Sequence, residues 1–210
     1  MFDPACRRCP RLSAYRDENC SAHPHYHNAP VPAFGPSHAH LLIVGLAPGL
    51  HGANATGRPF TGDYAGELLY RTLHEFGFSE AAESRHVGDG LRLRDCCITN
   101  AVRCVPPQNR PAPEEVRMCL SYLKFDLERH PAGGAVLALG RVAHDAVLRA
   151  LGLRPPRYPF SHGARHELPD GRILLSSYHC SRYNTSTRRL TPDMFRAVMA
   201  EAREWIGSHA

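Results

Sequence analysis

Four aliphatic residues, Leu41-Leu42-Ile43-Val44, feed straight into GLAPGLHGANATGRPFTGD, residues 45–63, and a helical pattern opens at Tyr64. An apolar run of that kind, closed by glycine, reads as a strand buried on both faces. The segment behind it is rich in Gly, Asn and Thr, and it is far longer than an ordinary strand-to-helix connection. Open α/β sheets bind ligands beyond the carboxyl ends of their strands, so a long polar loop at this point reads as part of a site.

Downstream, Leu68, Leu69, Leu73 and Phe76 recur at helical spacing, and Gly77 supplies the stop. Residues 96–102 form a second buried strand. The proline-rich run 105–113 must be largely extended, because each proline biases its predecessor away from helix. The pattern then predicts a helix over 114–130 with Val116, Leu120, Leu123 and Leu127 inward, a strand over 134–140, a helix over 141–151, irregular chain over 153–170 and a strand over 172–178. Thr191-Pro192-Asp193 combines a capping hydroxyl, a proline and a first-turn acid, the signature of a helix start, and that helix runs to about Trp205. Upstream, Cys6-Arg-Arg-Cys9 precedes a short helical pattern from Leu12 to about Glu18 and a loop over 20–36. Alternating strands and helices predict an α/β fold: a three-layer α/β/α sandwich with a central, mostly parallel sheet of about four strands. One domain over 1–210 is expected, with an N-terminal cysteine-bearing arm at about 1–36.

The chain has 210 residues, long enough for a full core, and a formal net charge of +5 with a pI near 8.9. That charge permits nucleic acid as a partner without requiring it. Lys124 is the sole lysine among 25 basic residues, and arginine's planar fork suits phosphate, although a compositional bias of the genome gives the same excess. No stretch approaches the roughly 20 apolar residues of a membrane span. The start, with two Cys and two Arg, lacks the apolar core of a signal peptide, so a cytoplasmic location is expected. In a reducing compartment the eight cysteines are better read as metal ligands or catalytic groups than as disulfides.

Three polar clusters follow the strands: the 45–63 loop, Thr99-Asn100 with Arg103-Cys104, and the run 177–185, SYHCSRYNT. No Gly-Lys-Ser/Thr phosphate loop and no GxGxxG spacing follows the first strand. His179 and Cys180 are adjacent, so on extended backbone they point to opposite faces and make a poor base–nucleophile pair.

These clusters carry a specific resemblance. Residues 45–63 resemble the first motif of the family 5, B-type uracil-DNA glycosylases. Ile98-Thr99-Asn100-Ala101-Val102-Arg103-Cys104, followed by Pro106-Pro107, is similar to the segment holding that family's base-reading Asn. Residues 177–185, with Arg189-Leu190-Thr191, resemble its catalytic-His loop. The motifs stand in the family's order, and the likeness extends from Cys6 to the last helix.

The resemblance implies an enzyme that flips uracil, and other deaminated bases such as hypoxanthine, out of DNA and hydrolyses the N-glycosidic bond. Double- and single-stranded DNA are the implied partners, with a monomeric protein. His179 would donate a hydrogen bond to the departing base, and Asn100 offers both donor and acceptor to its edge. Phe60 would stack on the base. Asp63 is the carboxylate to place near the attacking water and the sugar cation, because the turn Leu46-Ala47-Pro48-Gly49 holds no acid; it is equally a helix N-cap. Gly45, Ala47 and Asn54 are further candidates for substrate contact, and Thr56 and Arg58 for shaping the pocket. Ser181, Arg182 and Asn184 form a phosphate-gripping set. Cys180 stands where many relatives have proline.

Cys6, Cys9, Cys104 and Cys119 match the family's cluster ligands and imply a [4Fe–4S] cluster with a structural role; zinc would accept the same four thiolates. Cys20, Cys96 and Cys97 are read as structural. Two other readings stand beside the glycosylase: a metal-cluster module that binds nucleic acid without catalysis, and an iron–sulfur electron carrier.

Overall fold

The computed structural model describes residues 2–209. Its sheet has five strands, β1 (Leu41–Gly45), β2 (Cys96–Asn100), β3 (Ala135–Leu139), β4 (Arg165–Glu167) and β5 (Ile173–Ser177), in the order β2-β1-β3-β5-β4. All pairings are parallel except β4 with β5. The helices are α1 (Pro10–Ala22), α2 (Ala53–Thr56), α3 (Tyr64–Glu75), α4 (Pro113–Arg129), α5 (Arg141–Ala150), α6 (Arg182–Ser186) and α7 (Pro192–His209).

Successive strand residues face opposite sides, and both sides are apolar. Leu41, Ile43, Ile98, Leu137 and Leu175 pack with Leu69 and Leu73 of α3 and Phe195 and Met199 of α7. Leu42, Val44, Val136, Ala138 and Leu174 pack with Leu123 and Leu127 of α4 and Ala143 and Val147 of α5. Helices thus cover both faces, the three-layer α/β arrangement. Each fully buried Leu or Ile contributes roughly 1.5–3 kcal/mol, so these two layers dominate stability.

The expected sheet of about four strands is corrected to five. β4 carries Arg165, His166 and Glu167 at the sheet edge, with no apolar alternation to signal a strand. α1 extends to Ala22, past the expected Glu18. Its buried positions beyond Leu12 and Ser13 are Arg16 and Asn19, and a polar inner face hides a helix from hydrophobic periodicity. Arg16 donates to the Cys6 carbonyl at 2.7 Å, and Asn28 donates to the His23 carbonyl at the far end at 2.8 Å. α7 continues to His209, past Trp205, and short helices α2 and α6 interrupt segments expected to be loop. No helix of the described residues is long and apolar enough to cross a membrane.

From β1 the chain passes to β2 on one side and to β3 on the other. That reversal is the topological switch point of an open parallel sheet, and it lies where the 45–63 loop emerges.

Candidate active site

β1 and β2 end level, with Gly45 opposite Asn100. A methyl group on Gly45 would come within 2.3 Å of Asn100 Oδ1 and 2.6 Å of the Phe60 ring, so only glycine lets the amide and the ring converge there. Asn100 is 3% exposed and Phe60 6% exposed. Phe60 holds φ of +55°, an uncommon conformation for a bulky residue and one that surrounding contacts must enforce. Its ring faces the His179 imidazole at 5.8 Å between centroids, with 29° between the planes. Asn100, Phe60 and His179 therefore meet over the end of β1, although they are dispersed across 120 residues of sequence.

His179 follows β5 by two residues, and its neighbour across the sheet is Gly140, at the end of β3. Asn184 Nδ2 donates to the His179 carbonyl at 2.8 Å and fixes its backbone from the start of α6. The residue is half-buried, and the protein around its ring strips much of its hydration, which pushes its pKa down to about 4. Its imidazole is neutral at pH 7 and can donate a hydrogen bond without bringing a charge. Burial also pushes His130 down to about 4. Histidines near 6.5 in the unfolded chain then bind more protons than the native state between pH 4 and 6.5, so stability rises with pH across that window. The melting temperature is expected to fall as pH drops from about 6.5 towards 4, measured by calorimetry. A melting temperature that rises on acidification over this window would contradict both assignments.

Asp63 caps α3, and its Oδ1 accepts the Gly66 N–H at 3.2 Å. Its Oδ2 faces the turn behind β1, where a methyl on Gly52 would come within 2.5 Å of it and one on Gly49 within 3.5 Å. The carboxylate thus reaches from the loop's end back to the acid-free turn at its start. Burial pushes its pKa up, while the amides of Gly66 and Ala65 oppose that. Cys180 is fully buried in the α3/α7 core, and burial, with the Asp63 charge nearby, holds its thiol protonated. It is a packing residue.

The remaining predicted residues occupy different surroundings. Asn54 is completely buried; its Nδ2 donates to Asn28 Oδ1 at 2.9 Å, while its own Oδ1 has no protein partner. Ala47 packs on the α4/α5 core. Ser181 Oγ caps α6 by accepting the Asn184 amide. The exposed Arg182 lays its guanidinium over Tyr64 at 5.3 Å, beside Asp63. Thr99 and Arg103 do not join this edge: both bind Asp126 of α4, because alternation along β2 turns Thr99 away from Asn100's face. Asn28, the partner of Asn54, stands at φ of +47° in the proline-rich loop over 20–36, and no motif in the sequence marks it.

Cys6, Cys9, Cys104 and Cys119 line one small enclosed space with Leu12 and Tyr122, drawn from the arm, the segment after β2 and α4. Burial pushes Cys9 to about 11 and Cys104 to about 12. Cys6 goes the other way: burial opposes ionisation, but hydrogen bonds from Tyr122 and Arg8 outweigh it. Among the described residues no three His, Cys, Asp or Glu side chains converge closely enough to hold a single metal ion. Cys96 and Cys97 are buried on opposite faces of the sheet, as expected for packing residues, whereas Cys20 is exposed on α1.

Comparison with known proteins places this geometry in context. Residues 32–203 match the family described as the uracil DNA glycosylase superfamily. The chain is 50% identical to a type-5 uracil-DNA glycosylase of Thermus thermophilus, over 97% of this chain and 94% of that one. It is 41% identical to type-5 uracil-DNA glycosylases of Mycobacterium tuberculosis (96% and 78% covered) and Pyrobaculum aerophilum (94% and 87% covered). The matched span takes in Gly45, Phe60, Asn100 and His179 at the carboxyl edge of the sheet, and Asp63 at the end of the loop. The chain belongs to the uracil-DNA glycosylase superfamily.

Proposed function

We propose that the protein is a DNA repair enzyme that removes uracil from DNA by hydrolysing its N-glycosidic bond and leaves an abasic site. The observation that carries this reading is the convergence of Asn100, Phe60 and a neutral His179 around Gly45. A base extruded from the duplex would stack on Phe60 and pair its polar edge with the Asn100 amide. As the bond from C1′ to the base breaks, its electron pair leaves with the base, and His179 donates a hydrogen bond to the oxygen that gains charge. One such donor contributes about 3 kcal/mol. Water adds to C1′, and the proton it loses neutralises the departed base anion, directly or through Asp63. Asp63 is the carboxylate placed to hold that water or to offset the sugar cation.

Asp63→Asn separates that role from capping. Asparagine caps helices as well as aspartate does, so the melting temperature should stay within about 2 °C, while turnover falls on the order of 100-fold. Unchanged turnover would reduce Asp63 to a helix cap.

The cysteine quartet supports a [4Fe–4S] cluster. Four cysteines lining one enclosed space are a donor set that a [4Fe–4S] cluster accepts, as the match to the family's cluster ligands implies, and zinc would accept the same four. Its role is structural: it ties the arm and the 105–113 segment to α4, and the hydrolysis transfers no electrons. The substrate range extends to other deaminated bases, hypoxanthine among them, in double- and single-stranded DNA, and the protein acts as a cytoplasmic monomer.

The test is a panel of duplex and single-stranded oligonucleotides carrying uracil or hypoxanthine, incubated with the protein and cleaved with alkali. Strand scission at uracil is the expected result. Tight binding without base release at any salt concentration would favour a binding module, and a reversible redox couple with no base release would favour an electron carrier.

A further inference from the structure

Phe60 is a large side chain of the pocket held at positive φ, and part of what holds it comes from the loop over residues 84–91. Arg58, two residues earlier, is 4% exposed. Its Nη1 donates to Ser84 Oγ at 2.9 Å and to Asp89 Oδ1 at 2.8 Å, its Nη2 donates to the Val87 carbonyl at 2.8 Å, and its guanidinium lies over the Phe34 ring at 4.4 Å. Asp89 in turn accepts the backbone N–H groups of Arg85 and Leu91, which folds residues 85–91 around the ion pair. Ser84 also shares a hydrogen bond with Thr61 Oγ1 at 2.7 Å, so the loop grips the residues on both sides of Phe60. From the opposite side Tyr70 donates to the Pro59 carbonyl at 2.8 Å, and a methyl on Gly66 would come within 1.9 Å of the Phe60 carbonyl oxygen.

We propose that Arg58, Ser84 and Asp89 form a clamp that positions Phe60 to receive the flipped base; this rests on the glycosylase reading above. A buried arginine pair closed by backbone amides is a rigid support, and a stacking wall out of place by an ångström misdirects the base from Asn100 and His179. The three are positioning residues, because they reach the base only through Phe60.

Ser84→Ala removes the bridge between Arg58 and Thr61 while leaving the Arg58–Asp89 ion pair, and Asp89→Asn weakens the pair itself. Three quantities are to be compared with the wild type: the single-turnover rate of uracil release, affinity for DNA carrying a reduced abasic site, and the melting temperature. The expected result is a rate about tenfold lower for Ser84→Ala, abasic-DNA affinity within twofold, and recovery of the rate in Ser84→Thr, which restores the hydroxyl. A Ser84→Ala rate equal to wild type overturns the clamp, as does an equal loss of rate and abasic-DNA affinity, which would make the loop a DNA contact. Should Asp89→Asn fail to fold, Ser84→Ala and Ser84→Thr still decide the matter. Absence of uracil release by the wild type refutes the glycosylase reading instead.

Discussion

Replacing His179 by alanine is expected to slow uracil release by about 100- to 1,000-fold while affinity for abasic-site DNA stays within about twofold. The size follows from removing one preorganised donor aimed at developing negative charge. The selectivity follows from the geometry. Asn184 holds the His179 backbone carbonyl, not its ring, so the loop remains anchored in the variant. Asn100 and Phe60 still meet over Gly45 without it. Single-turnover assays with saturating enzyme isolate the chemical step from binding. A rate near wild type would remove His179 from the reaction. Wild-type rates should also stay flat from pH 8 to pH 6, because a pKa near 4 leaves the ring neutral throughout.

The second large effect concerns stability. With the proposed cluster in place, the purified protein is expected to be brown and to carry iron, and Cys104→Ala to lose both and to lower the melting temperature by about 10 °C or more. The loss of a structural metal site ranks among the costliest single changes, and a chain of this size shifts by about 2–4 °C per kcal/mol. Cys104 stands between β2 and the proline-rich run and lines the same space as Cys6 and Cys9 of the arm, so its loss is expected to free both that run and the arm. Cys20→Ala is the matched control; it is exposed on α1 and should leave iron content and melting unchanged. A wild-type protein that carries zinc and no iron, or a Cys104→Ala protein with full colour, would overturn the cluster assignment.

The helices and strands that carry apolar periodicity were legible from the residues: β1, β2, β3 and β5, and the amphipathic helices α3, α4, α5 and α7. Elements whose buried faces are polar were not. α1 turns Arg16 and Asn19 inward, and β4 pairs through backbone groups alone, so neither leaves a hydrophobic signature. The short α2 and α6 are single turns held by caps and by loop contacts rather than by an apolar stripe.

The same division runs through the site. Residue chemistry and motif order alone determined that this chain is an α/β protein whose polar strand ends carry an amide at Asn100, an aromatic ring at Phe60 and a histidine at His179. Which of those side chains face one another was decided by the sheet. Alternation along β2 sends Asn100 to the pocket and Thr99 to Asp126. Packing at the end of β5 sets the protonation of His179, since desolvation depends on neighbours far away in sequence. By sequence Asp63 reads equally as a carboxylate near the attacking water and as a helix cap. The folded loop, bent so that Gly49 and Gly52 lie against its free oxygen, shows how one side chain reaches both places.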